Sequence, residues 1–267
     1  MNIPVLESVK AIEYQYSTGE TPVLVMCSDM NAYVCKYMRS SASAFKLACE
    51  LIGSQMAMVW DIETPSIAFV QIKPDHWTGR LVQHSISAPS LGSRLIEGAV
   101  DINSSTFGDI ESSVVLLRQL MKIALFDFWL ANEDRNINNA NLIYNLSNDK
   151  LVSIDYGCIL NTATFDYGMT QLTSNESILC SDLFLHLVRN KEIQEMDRAL
   201  KRMKDEYMDN LNHCKGQIDK ILMEIPSEWH IPLNIIKNKL KQLFEEQWIT
   251  EVWDNFVECL NNQMNNE

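Results

Sequence analysis

Residues Asn132–Gly157, NEDRNINNANLIYNLSNDKLVSIDYG, open on a cluster of Asp, Arg and Asn. The chain then runs through the apolar segment NLIY, turns through LSNDK and returns through LVSI to Asp155-Tyr156-Gly157. Two short apolar runs around a polar Asn-Asp turn predict a β-hairpin. Such a hairpin brings its two ends together. Asp134 and Asn139, five residues apart on one side, should therefore meet Asp155 on the other. Of these, the second carboxylate, Asp155, and the Asn139 amide oxygen are hard oxygen donors of the kind that Mg²⁺ selects.

Outward from this stretch the pattern changes on both sides. Immediately before it, ESSVVLLRQLMKIALFDFWL (111–130) has helical spacing and is apolar nearly all round in its second half, which predicts a central buried helix. After about residue 176 the chain reads as helical. NKEIQEMDRALKRMKDEYMDNLNHC (190–214) carries opposite charges at three- and four-residue spacing, the mark of a solvated face. PLNIIKNKLKQLF (232–244) and EEQWITEVWDNFVECL (245–260) fit two more helices. Towards the start, PVLVMC and AYVCKYM flank the turn SDMN and predict a hairpin. SAFKLACELIGSQMAMVW (43–60) follows as a helix and SIAFVQI (66–72) as a buried strand. Residues 73–110 are richer in Gly, Pro and Ser and read as irregular, with a short helix near Leu91–Glu97. The expected fold class is α+β, with a β-rich front unit at 1–72 and a mainly helical back unit at 73–267. A cleft between two such units is a common place for a ligand.

Four features follow one another in order. Lys36 lies on the second strand of the front hairpin. Glu50 lies on the next helix, among Ala48, Cys49, Leu51 and Ile52. Asp134 and Asn139 come directly after the buried helix, and Asp155 ends a strand. Phosphoryl transfer from ATP calls for these residue types: a lysine on the phosphates, a glutamate to hold it, a carboxylate for the acceptor hydroxyl, and Asp and Asn oxygens for Mg²⁺. The turn STGET (17–21) stands before the Lys36 hairpin, where the backbone of Thr18 and Gly19 could cradle phosphates. It has one glycine and no GxGxxG, so a plain turn also accounts for it. Taken singly, each element has an ordinary reading: an exposed strand lysine, a solvated glutamate, an Asn-rich turn, an Asp-x-Gly turn. The ordered set on successive elements is what points to a site. Arg135 is open to either a phosphate or an acidic side chain as partner. Ser93 lacks the GxSxG elbow, and Cys158 and His76 have no sequence neighbours that would make them a nucleophile or a base.

Composition narrows the classes of function. Thirty-five acidic and 22 basic residues leave a formal charge of -13. Such a surface repels phosphate backbones and anionic lipid, which argues against nucleic-acid or membrane partners but not against a nucleotide. Seven scattered cysteines without a CxxC read as thiols in a reducing compartment. With no apolar run long enough to span a bilayer and no signal-peptide pattern at the start, the expected location is cytoplasmic.

The segments TPVLVMCSDMNAYVCKYM, ACELIGSQMA, NEDRNINNANLIY and LVSIDYG together resemble the HipA-like kinases, in particular the short bacterial members built around one kinase-like domain. The Asp-Arg loop is also similar to the DRxxxN loop of phosphatidylinositol kinases. The resemblance covers about residues 15–160 and implies a two-lobed kinase-like fold, ATP and Mg²⁺ as cofactors, and transfer to Ser or Thr of a protein substrate. It also leaves room for a partner chain. Residue by residue, Lys36 matches the phosphate-binding lysine and Glu50 its helical partner. Asp134 matches the catalytic aspartate, and Asn139 and Asp155 match the metal ligands. The resemblance would place the adenine against the backbone near Val70, Gln71 and Ile72. Asn136 and Tyr156 depart from the family pattern, where a His and the middle residue of DFG are common. Two other readings of the same residues are a nucleotide-binding pseudokinase and a small-molecule kinase.

Overall fold

The computed structural model describes residues 3–77, 87–103, 106, 110, 112–161, 168–188 and 193–265. The front of the chain forms a six-stranded sheet from β1 (Val5–Glu7), β2 (Tyr14–Gln15), β3 (Val23–Met26), β4 (Ala32–Lys36), β5 (Ile67–Gln71) and β6 (Ser90–Arg94). Its spatial order is β1-β5-β6-β4-β3-β2. The β1–β5 pair is parallel, and the other pairs are antiparallel. A three-stranded sheet follows from β7 (Ala99–Asp101), β8 (Leu142–Asn145) and β9 (Lys150–Ser153), in which β8 and β9 form the hairpin expected from NLIY and LVSI. The described helices are α1 (Ser41–Val59), α2 (Val114–Leu130), α3 (Asp182–Val188), α4 (Ile193–Met223), α5 (Leu233–Gln242) and α6 (Glu246–Asn265). This is a β-rich front lobe and a helical back lobe.

Two expectations change. Ser90–Arg94 is a strand, not part of a short helix: Leu91 pairs with Lys36 on one side and Phe69 on the other. Backbone pairing on both edges overrides a local pattern that lacks alternation. Because β6 lies in the middle of the front sheet, the break expected at residue 73 comes too early. The chain passes from the front sheet to the back sheet at Leu95–Gly98, between β6 and β7.

Local signals explain the two helices that frame the cleft. Ser40 caps α1 by accepting from the Ser43 amide, and the Ser43 hydroxyl accepts from the Ser40 amide in return, a reciprocal capping box. Ser113 caps α2 by accepting from the Leu116 amide. Helix α2 is buried from Leu120 through Leu130 save Lys122, as its apolar run predicts. It ends at Ala131, whose left-handed backbone (φ 49°) turns the chain sharply.

The apolar core does not divide between the lobes. Leu47, Ala48, Leu51, Ile52 and Met56 of α1 belong to the same buried cluster as α2 and the back helices. The opposite face of the front sheet has its own small cluster, including Val23, Val25, Tyr33, Cys35 and Val70. Trp60, after α1, stacks on Trp129 of α2 at 5.4 Å between ring centroids. Trp229 reaches from the back lobe to donate its indole N–H to the Pro89 carbonyl at 2.9 Å.

Candidate active site

Strand β4 delivers Lys36 to the inner side of the front sheet. Its Nζ donates to Glu50 Oε2 at 2.7 Å and to Asp155 Oδ1 at 2.6 Å. Three elements far apart in sequence therefore meet at one ammonium. Glu50 is only 3 % exposed, and its Oε2 also accepts from the Tyr156 amide at 3.0 Å. Burial would lower the Lys36 pKa, but the two carboxylates raise it, so the ammonium is held firmly charged. Burial acts on Asp155 in the upward direction and is outweighed by Lys36, leaving its pKa below the ordinary carboxylate value. For Glu50 burial prevails: its pKa is pushed up to about 7, with Asp155 adding to the rise and Lys36 opposing it.

Asp155 adopts a left-handed backbone (φ 60°), a conformation that Asp tolerates better than most non-glycine residues. The Gly157 amide closes back onto Asp155 Oδ1 at 3.3 Å. Between them, Tyr156 is fully buried. Its hydroxyl donates to Ser153 Oγ at 2.6 Å, and its ring meets Phe126 edge-on.

The loop after α2 is built on a buried ion pair. Arg135 is inaccessible and donates to Asp127 Oδ1, while its other nitrogens donate to the carbonyls of Ile154 (2.8 Å) and Asn141 (3.4 Å). The guanidinium also lies 5.1 Å from the Tyr156 ring centroid. Asn132 Nδ2 donates to the same Asp127 oxygen at 2.9 Å, and its backbone amide donates to the Asp127 carbonyl. Burial raises the Asp127 pKa, with Arg135 and Asn132 opposing. Of the two partners open to Arg135 in the sequence, the acidic side chain is the one it takes.

That scaffold presents Asp134 at the cleft. Its Oδ2 accepts from Asn139 Nδ2 at 3.2 Å and from Asn141 Nδ2 at 3.0 Å. With its nitrogen turned to Asp134, Asn139 keeps its amide oxygen for another ligand. The Ile154 amide donates to the Asn141 carbonyl at 3.1 Å, which locks this loop beside Asp155. Cys158 lies close enough to feel Asp134, Asp155 and Lys46; burial, with Asp134 adding, pushes its thiol up to about 11, so it stays protonated and a poor nucleophile. Asp127, Asn132 and Asn141 were not singled out in the sequence.

Thr18 and Gly19 lie at the exposed tip of the β2–β3 hairpin, closed by the Thr21 amide on the Thr18 carbonyl at 2.8 Å. Gln71 ends β5 on the side of β1 and Ile72 follows it; the Gln71 carbonyl accepts from the Ser8 amide at 3.1 Å. They do not lie on the passage between the sheets. Asp155 and Asn139 carry oxygens that could hold a divalent cation. Among the described residues, no three His, Cys, Asp or Glu side chains group to hold a metal alone. One carboxylate and one amide oxygen suit Mg²⁺, which keeps water and phosphate oxygens as its other ligands.

The sequence model of the HipA-like kinases matches residues 9–256. The chain belongs to the HipA-like kinase family. No curated protein sequence matches it. Among solved structures, the crystal structure of the Helicobacter pylori proinflammatory kinase CtkA superimposes with a TM-score of 0.55 at 11% identity, over 96% of this chain and 99% of that one. At that identity the likeness concerns the fold, and the fold is that of a kinase. Among the described residues of this HipA-like kinase, no helix is long and apolar enough to cross a membrane.

Proposed function

We propose that the chain transfers the γ-phosphoryl group of Mg-ATP to a hydroxyl, that of Ser or Thr in a protein. The observation that supports this most directly is Lys36 held between Glu50 and Asp155, beside an Asp134 steadied by two asparagine amides. Lys36 would meet the nucleotide phosphates, with Glu50 holding its ammonium. Asp155 and the Asn139 oxygen would hold Mg²⁺, which when bound screens phosphate charge. Asp134 orients the acceptor hydroxyl and takes its proton as the new oxygen–phosphorus bond forms and the bond to ADP breaks. Topology favours the connection Leu95–Gly98, rather than Gln71 and Ile72, as the adenine-binding edge, because it joins the two lobes. The single glycine of the Ser17–Thr21 turn favours a second reading, nucleotide binding without transfer.

A paired measurement separates the two. Asp134→Asn should lower autophosphorylation or turnover with labelled ATP by about 10²–10⁴, while calorimetry finds ATP affinity unchanged. Wild-type protein that binds ATP but labels neither itself nor any protein in a lysate supports the second reading. Full turnover in Asp134→Asn, with loss in Glu133→Gln, would move the proton acceptor one residue.

A further inference from the structure

Lys46 stands one helical turn before Glu50 on α1, so both side chains leave the same face. It borders the site closely. A Cβ built on Gly157 would lie 3.9 Å from Lys46 Cβ and 3.3 Å from Asp155 Oδ1. Its ammonium donates to Glu20 Oε1 at 2.8 Å, and Glu20 belongs to the turn at the tip of the β2–β3 hairpin. That tip is also tied by Arg39, which donates to Thr21 Oγ1 at 3.1 Å.

Part of the backbone at the tip is already committed. The Thr21 amide is taken by the Thr18 carbonyl and the Tyr16 amide by the Pro22 carbonyl. Gly19 is the one glycine in the turn. Nor can Arg135 assist, since it is inaccessible and committed to Asp127. The cleft meanwhile sets Glu50 and Asp155 on a half-buried Lys36, with the Asp134 carboxylate on the adjoining loop, so a polyanionic ligand gains from positive charge beyond that of Lys36 and Mg²⁺. Lys46 can supply it. The Lys46 and Glu20 side chains are 39% and 32% exposed, so water screens their pairing and the partner is readily exchanged.

We propose that Lys46 is a second phosphate-contacting residue of the nucleotide site and that Glu20 occupies it until nucleotide enters. This rests on the kinase reading above. On binding, a phosphate oxygen replaces the Glu20 carboxylate on the Lys46 ammonium. A side chain from α1 thereby does what backbone amides do in a glycine-rich loop, and the hairpin tip is released as nucleotide arrives.

The test is calorimetric titration of the full chain with ATP, ADP and adenosine in Mg²⁺ buffer. Lys46→Met should weaken ATP about tenfold or more, the loss of a charged hydrogen bond, and leave adenosine affinity unchanged. Lys46→Arg, which keeps the charge, should retain most of the ATP affinity. Glu20→Gln should tighten ATP severalfold in the wild-type background and do nothing in Lys46→Met, the mark of two residues acting through one another. Unchanged ATP affinity in Lys46→Met, an equal loss for adenosine, or weakened ATP in Glu20→Gln would each overturn the proposal while leaving the kinase reading standing. Wild-type protein that binds neither ATP nor ADP would overturn both.

Discussion

Within the candidate site, Glu50 is a carboxyl whose protonation is reset by its surroundings. Its pKa lies at about 7 in the folded chain against an ordinary value of 4.5, because burial and the nearby Asp155 charge outweigh Lys36. The folded state thus holds this proton more tightly than the unfolded one. Its contribution to stability is complete below pH 4.5 and is lost as pH rises to about 7. In metal-free buffer, the melting temperature of the wild type should fall between pH 5 and 7.5 relative to that of Glu50→Gln, which has no proton to lose. Parallel curves for the two proteins would assign the decline to other groups. Arg135 contributes through its ion pair with the buried Asp127 carboxylate. Arg135→Ala would leave Asp127 charged, buried and without its partner, at a cost of about 3–5 kcal/mol, measurable by denaturant unfolding. A loss under ~1 kcal/mol accompanied by weaker ATP binding would instead give Arg135 a phosphate as partner. The meeting of Lys36, Glu50 and Asp155 was legible in the sequence because each residue ends or faces an element whose pattern is strong. Asp127 and Asn132 were not, because their pairing depends on the left-handed turn at Ala131, which tertiary packing imposes at the end of an apolar helix.

At the scale of elements, the junction between α1 and the Asp155-Tyr156-Gly157 turn leaves no room for a side chain at Gly53. A Cβ on Gly53 would fall 2.3 Å from Tyr156 Cβ, so only glycine lets the helix approach the turn this closely. Alanine in mid-helix ordinarily adds up to ~1 kcal/mol. Here Gly53→Ala should instead destabilise by about 1–3 kcal/mol through overpacking, and lower activity by shifting Tyr156. A more stable Gly53→Ala protein would show that the helix can retreat freely. The same kind of close approach explains why β6 was missed. A Cβ on Gly92 would meet Val70, Cys35 and Tyr33 side-chain atoms at 2.9–3.1 Å, so the strand needs a glycine at its centre. In the sequence Gly92 sits in a segment without strand alternation, which reads as a short helix near Leu91–Glu97. The hairpin β8–β9 and helix α2 were legible because their periodicity is local and uninterrupted. The Glu20–Lys46 pair spans 26 residues and leaves no local signal.

Across the whole molecule, the front sheet and the helical lobe are joined covalently at Leu95–Gly98, yet they share one core through α1. Helix α1 also packs along the long helix α4, so the glutamate that positions Lys36 is anchored to the back lobe rather than to the sheet. Cutting the chain between Ile96 and Glu97 would therefore not release two self-sufficient units. The front fragment would carry away a helix whose apolar face belongs inside the other fragment. Expressed alone, each piece should aggregate or stay unfolded; expressed together, they should co-purify as an obligate heterodimer. Independent folding of the front fragment, seen as a cooperative melt, would show that the shared core is dispensable. Every nucleotide bound between the pieces would then act as a ligand of their association, and Mg-ATP should tighten the pair in proportion to its own affinity. A single-chain kinase of this build is, in thermodynamic terms, a complex of two subunits held at the high effective concentration that one short connection provides.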